Sequence, residues 1–187
     1  MEAYTGGKQR VFVDTNAIFP ATAVGEWNRL CGFYSVETVE AVVAETQNGN
    51  VKRKGYVAVR ESELRQTLAR IHQPTEHDRA AFRLKAIHLR IELDEGERDL
   101  LAYLLAHETP SPEILVLTTS DRAAVRACCH LGWADSLVSL DRLLAHAGAP
   151  PASRKLLQGL GAHYLEPWLT QVRTEFLLEK LNTNHGN

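Results

Sequence analysis

Ile114-Leu115-Val116-Leu117-Thr118-Thr119 is an unbroken apolar run that ends in two hydroxyls, and Asp121 stands two residues beyond it. Uniform apolarity over so short a run describes a β-strand buried on both faces, as in a parallel sheet covered by helices. Near the start of the chain, Val11-Phe12-Val13-Asp14 is a shorter apolar run that stops at a carboxylate. In a parallel sheet both runs end at the same edge. Asp14 and Asp121 are therefore expected on one side of the molecule, where α/β sheets bind their ligands.

The segments around these runs alternate between helical and extended patterns, and parallel strands need such crossovers. A helix is expected around residues 22–30 after a Thr15-Asn16 turn. Gly32-Phe33-Tyr34 reads as a second strand and Ser35 as the N-cap of a helix over 36–46, where Val36, Val39, Val42 and Val43 recur at helical spacing. Residues 57–72 and 76–92 read as two helices of an insertion, with Thr75 capping the second. A helix from Leu93 precedes the 114–119 strand, and one over 121–131 closes at Gly132. Residues 135–138 read as a last short strand, followed by a helix over 141–146. Beyond Pro150-Pro151 two more helices are expected, the second from about Glu166 with Trp168, Val172, Phe176 and Leu177 on one stripe. The whole reads as a three-layer α/β/α sandwich over residues 1–149, with a helical extension over 150–187 packed on the same domain.

At 187 residues, 44% hydrophobic and 24% charged, the chain has ordinary globular composition. Its start lacks the apolar run of a signal peptide and no stretch is long enough to span a membrane, so a cytoplasmic protein is expected. Cys31, Cys128 and Cys129 show no metal-binding spacing and read as reduced core thiols. A net charge of −2 gives no global basic field for nucleic acid. Local basic clusters remain: Lys52, Arg53, Lys54 and Arg60, and Arg79, Arg83, Lys85 and Arg90, each equally readable as a solvated face.

The other acids are placed by helical geometry. Glu97 precedes Leu100, Leu101 and Leu104 by three, four and seven residues, which turns it toward the core. Asp94-Glu95-Gly96-Glu97 also reads as a capping box. Asp99 lies about 200° further around the helix and is a second candidate. Glu45 sits near the C-terminal end of its helix, where the dipole disfavours a carboxylate. Glu37 and Glu40 read as solvating charges near a helix start. If Asp14, Glu45, Glu97 and Asp121 converge, pairs about 5 Å apart repel by roughly 3 kcal/mol at an effective dielectric near 20. A divalent cation relieves that strain, and an oxygen-only donor set suits Mg²⁺ or Mn²⁺ rather than zinc.

These residues resemble a family. Val-Phe-Val-Asp14-Thr15-Asn16, Val42-x-x-Glu45, Gly96-Glu97 before an apolar helix and Thr118-Thr119-Ser120-Asp121 after a strand look like the PIN-domain nucleases, over roughly residues 10–145. The resemblance implies a metal-dependent endonuclease acting on RNA, with Asp14, Glu45, Glu97 and Asp121 as metal-site acids supported by Thr15, Asn16 and Ser120. Asp99 is the alternative third acid. Lys52, Arg53, Lys54 and Arg122 become candidate contacts to nucleic acid.

The resemblance further implies the toxin of a toxin–antitoxin pair, with an antitoxin or other protein inhibitor and a second copy of the chain as candidate partners. Residues 50–92 and 150–187 are longer than compact members of that family require. A non-cutting scaffold that binds nucleic acid or protein is the competing reading. A phosphatase-like hydrolase with a first-strand Asp nucleophile lacks the second Asp that D-x-D would supply.

Overall fold

The computed structural model describes residues 7–48, 57–87, 92–108 and 114–184. Four strands form one parallel sheet: β1 (Arg10–Val13), β2 (Ser35–Val39), β3 (Arg70–His72) and β4 (Leu115–Thr118), in the order β3-β2-β1-β4. The chain steps from β1 outward to β3 and then crosses to the other side of β1 to lay down β4. The crevice between the C-terminal ends of β1 and β4 is thus the topological switch point of the sheet. Val13 is in register with Thr118, so the residues following each enter that crevice together.

Helices α1 (Thr15–Ala23), α2 (Trp27–Phe33), α3 (Glu40–Gln47), α4 (Glu61–Thr67), α5 (Glu76–Ala86) and α6 (Glu95–His107) lie between the first and last strands in sequence. After β4 come α7 (Arg122–His130), α8 (Leu140–His146), α9 (Pro151–Leu160) and α10 (Glu166–Asn184). The architecture is α/β and compatible with a three-layer α/β/α sandwich. Phe12, Leu101, Leu104 and Leu115 are fully buried at its centre, and Leu157, Leu169, Val172 and Phe176 of α9 and α10 join the same core. Leu177 does not share their stripe; it is 58% exposed. Among the described residues no helix is long and apolar enough to cross a membrane.

Several local expectations are corrected. The first helix starts directly at Thr15, because Asp14 caps it, and breaks at Gly25, whose φ of 77° ends α1 before α2 begins. Gly32 and Phe33 close α2 instead of forming a strand, and Ser35 opens β2 instead of capping a helix. The helical spacing of Val36 and Val39 with Val42 and Val43 is a coincidence: the first two lie on a strand buried on both faces and the others on α3. Only Glu61–Thr67 of the expected 57–72 helix is helical, and Arg70–His72 becomes the edge strand of the sheet. Residues 134–136 form a single 3-10 turn, leaving Leu137 as an isolated parallel bridge to Leu117.

Three expected termini are found. Thr75 caps α5 in a reciprocal box with Asp78, Asp94 precedes α6 in another, and Gly132 follows α7 with a φ of 82°. Glu37 is not a solvating charge. It is buried on β2 between Arg10 and His72, at 2.7 and 2.8 Å. Glu40 is held by Arg65.

Candidate functional site

Asp14 is the residue at which β1 becomes α1, and it is wholly buried. Its Oδ1 accepts the Ala17 N–H at 3.0 Å, the N-cap bond of α1. Its Oδ2 is buried with no hydrogen-bond partner among the described residues. Burial pushes the carboxyl up to about 7, against the opposing influence of Thr119, Asn16 and the Ala17 N–H. An orphaned carboxylate oxygen in a buried site is costly and calls for an explanation.

Asp121 repeats the arrangement at the end of β4. Its Oδ1 accepts the Ala124 N–H at 2.9 Å, capping α7, and its own N–H donates to Thr119 Oγ1 at 3.1 Å. Glu97 comes from the first turn of α6, buried to 6% exposure, with Oε2 receiving the Asp94 N–H at 3.4 Å. Burial drives its carboxyl up to about 8, and the neighbouring charges of Asp14 and Asp121 push the same way. Asp14 and Glu97 line one narrow cavity of about 10 Å³ with Thr118, Thr119, Ala124 and Cys128. That volume holds about one water-sized body.

Glu45 explains its own awkward position. Its Oε1 accepts the Gly96 N–H at 2.6 Å, so a carboxylate disfavoured at the end of α3 sits at the favourable, positive end of α6. A Cβ at position 96 would lie 2.6 Å from Glu45 Oε2, so a larger residue there requires the Glu45 carboxylate to shift. Thr15 Oγ1 donates to Glu45 Oε2 at 3.4 Å, tying α3 to the first residue of α1. Burial raises the Glu45 carboxyl, and the charges of Asp94 and Glu95 add to it.

Three helix N-termini, those of α1, α6 and α7, therefore point at one sheet edge, and each engages acids of the predicted set. Glu97 lies within electrostatic reach of Asp14 and Asp121, whereas Glu45 is held at Gly96, and neither Glu45 nor Asp121 lines the Asp14–Glu97 cavity. Positive helix ends offset the repulsion among the acids they engage. Engagement at the caps also sets the present side-chain positions: among the described residues no three His, Cys, Asp or Glu side chains stand in a metal-holding arrangement.

The remaining predicted residues are placed as follows. Asn16 and Thr15 flank the site on α1. Asp99 is turned away, with both oxygens held by Arg79 at 2.9 and 2.8 Å, so Glu97 and not Asp99 faces the cluster. Thr119 is the hydroxyl beside Asp14, and Ser120 does not line the cavity. Arg122 is ion-paired with Glu175 of α10. Lys52, Arg53 and Lys54 lie outside the described residues. Sequence reasoning missed Thr119 and Cys128 as lining groups; the position of Thr119 just past the end of β4 carried a signal for the first, and the inward stripe of α7 for the second. No protein-family model matches this chain, and no curated protein matches it.

Proposed function

We propose that this chain is a divalent-metal-dependent endonuclease that hydrolyses phosphodiester bonds in RNA, on a PIN-like fold. The observation that carries the reading is Asp14 Oδ2, a buried carboxylate oxygen without a partner, beside Glu97 at the switch point of a parallel sheet. The donor set fits a hard divalent ion: oxygen ligands only, with an orphaned acceptor among them. Asp14, Glu97 and Asp121 would hold Mg²⁺ or Mn²⁺, with Glu45 completing the set from α3. A bound ion supplies an acidified water as nucleophile and charge neutralisation on the phosphate.

The chain's own residues supply the rest. Asp14 and Asp121 are aimed by the strand ends and fixed by their caps, which limits the side-chain entropy lost on binding. Glu45 and Gly96 fix the start of α6, and hence Glu97. The Thr119 hydroxyl accepts the Asp121 N–H and lies beside Asp14, so one residue neighbours both strand-end acids. No side chain has to become a covalent nucleophile.

A second reading, a scaffold that binds without cutting, draws support from the use of these same acids as helix caps, which is a structural role needing no metal. Cleavage of labelled single-stranded RNA and DNA separates the two, with Mg²⁺, Mn²⁺ or chelator and with wild type beside Asp14→Asn. Metal-dependent RNA cleavage lost in the variant is the expected result. Wild type that cuts neither substrate under any metal, while still binding RNA, favours the scaffold.

A further inference from the structure

Beside the acid cluster lies a second cavity, of about 340 Å³, between α5, α7 and the start of α6. Phe82, Leu93 and Ala127 give it apolar walls, and Arg83, Arg98 and Glu92 give it charged ones. Its volume is in the range of sites that take a mononucleotide-sized group. Arg98 follows Glu97 directly, and Ala127 shares α7 with Ala124 and Cys128, which line the acid cavity. The two cavities thus flank the same two helices.

Arg98 Nε is buried and has no hydrogen-bond partner among the described residues. Arg83 is 58% exposed, and its ion pair is a 4.0 Å approach to Glu76. Most other arginines in the structure are spent on carboxylates at close range, as Arg79 is on Asp99. Two under-used guanidinium groups lining a partly apolar cavity are complementary to a phosphate attached to a base, since arginine offers a planar fork of donors to phosphate oxygens. Glu92 also lines the cavity, where a carboxylate would disfavour a second phosphate and could accept from a base amino group.

We propose that this cavity is a nucleotide subsite: it receives the nucleotide next to the scissile phosphate of an RNA strand, with Arg83 and Arg98 on its phosphate and Phe82, Leu93 and Ala127 against its base. The proposal rests on the nuclease reading for the strand's direction toward Glu97, and its test is separable from it. Binding of a short fluorescein-labelled oligoribonucleotide is measured by anisotropy in chelator, using Asp14→Asn protein to prevent turnover. Competition by adenosine monophosphate is measured against adenosine.

Arg83→Gln and Arg98→Gln are each expected to weaken the oligonucleotide about tenfold and to flatten the salt dependence, and adenosine monophosphate is expected to compete better than adenosine. Arg154→Gln serves as control, because Arg154 also buries an unpartnered Nε but lies on α9, outside the cavity. Should Arg98→Gln unfold early, Arg98→Lys keeps the charge without the fork and is expected to weaken binding less. Unchanged binding in Arg83→Gln and Arg98→Gln, or equal loss in Arg154→Gln, overturns the subsite while metal-dependent cleavage by wild type still stands. Loss confined to the cavity arginines in a protein that cuts nothing supports the subsite and rejects the nuclease.

Discussion

Glu45 and Gly96 meet at 2.6 Å, carboxylate oxygen to backbone N–H, across a separation of 51 residues. That contact sets where α6 begins, and so where Glu97 stands. It also joins an acid of the site to the N-terminal dipole of a helix that carries another.

Gly96→Ala tests this contact. The added methyl would meet Glu45 at 2.6 Å, so α6 or the Glu45 side chain has to move. Denaturant unfolding is expected to show a loss of about 1–3 kcal/mol, as for other overpacked sites. Glu45→Ala in the same chain should recover part of it. Two losses that simply add would show that the residues do not interact.

The pH dependence of stability follows from Asp14 and Glu97. Both carboxyls are raised on folding, to about 7 and about 8, chiefly by burial. The native protein therefore holds protons that the unfolded chain has released, and its stability is greatest below the ordinary carboxylate range. It is lost as pH rises through these values. Unfolding in chelator across that window should show the decline, and Asp14→Asn or Glu97→Gln should flatten it. Stability that rises over the same window would mean the two acids are not buried as described.

Asp99 offers a contrast within the same helix. Its pairing with Arg79 is close to fully buried on the carboxylate side, where the side chain is 2% exposed. Asp99→Ala should cost roughly 3 kcal/mol by removing the buried partner of Arg79, which keeps only exposed Glu76, yet leave Mn²⁺ binding in the surviving folded protein intact. Loss of metal affinity with unchanged stability would transfer the site role from Glu97 to Asp99.

The positions of Asp14 and Asp121 were legible because each is a local event: an apolar run reaches the sheet edge and the next polar residue caps a helix. Glu97 was legible from its spacing to Leu100, Leu101 and Leu104, and both of its readings coexist, since a capping-box glutamate can also face inward. The split of 36–46 into β2 and α3 was not legible, because Val36 and Val39 match the helical period with Val42 and Val43, while a strand buried on both faces shows no alternation to oppose it. Arg79 beside Asp99, Arg70–His72 as an edge strand and Glu37 inside an Arg10–His72 pair depend on neighbours distant in sequence. No spacing rule contains them.

Arg122 was expected to face nucleic acid and is instead paired with Glu175, as Arg126 is with Glu179 one turn on. The two pairs form a ladder between α7 and α10, exposed to solvent and therefore weak. Glu175→Gln with Glu179→Gln should leave the unfolding midpoint nearly unchanged and tighten RNA binding at low salt, an effect that vanishes as salt is raised. Unaltered RNA binding at low salt would remove Arg122 from the candidate interface.

The most direct test of the metal site is calorimetric titration of Mn²⁺ into wild type and Asp14→Asn. Saturable binding by wild type, accompanied by release of protons near neutral pH and abolished in the variant, is the result predicted by a buried carboxylate whose free oxygen waits for a cation. Equal binding by both proteins, or none by either while both remain folded, would contradict it and leave the acids as helix caps alone.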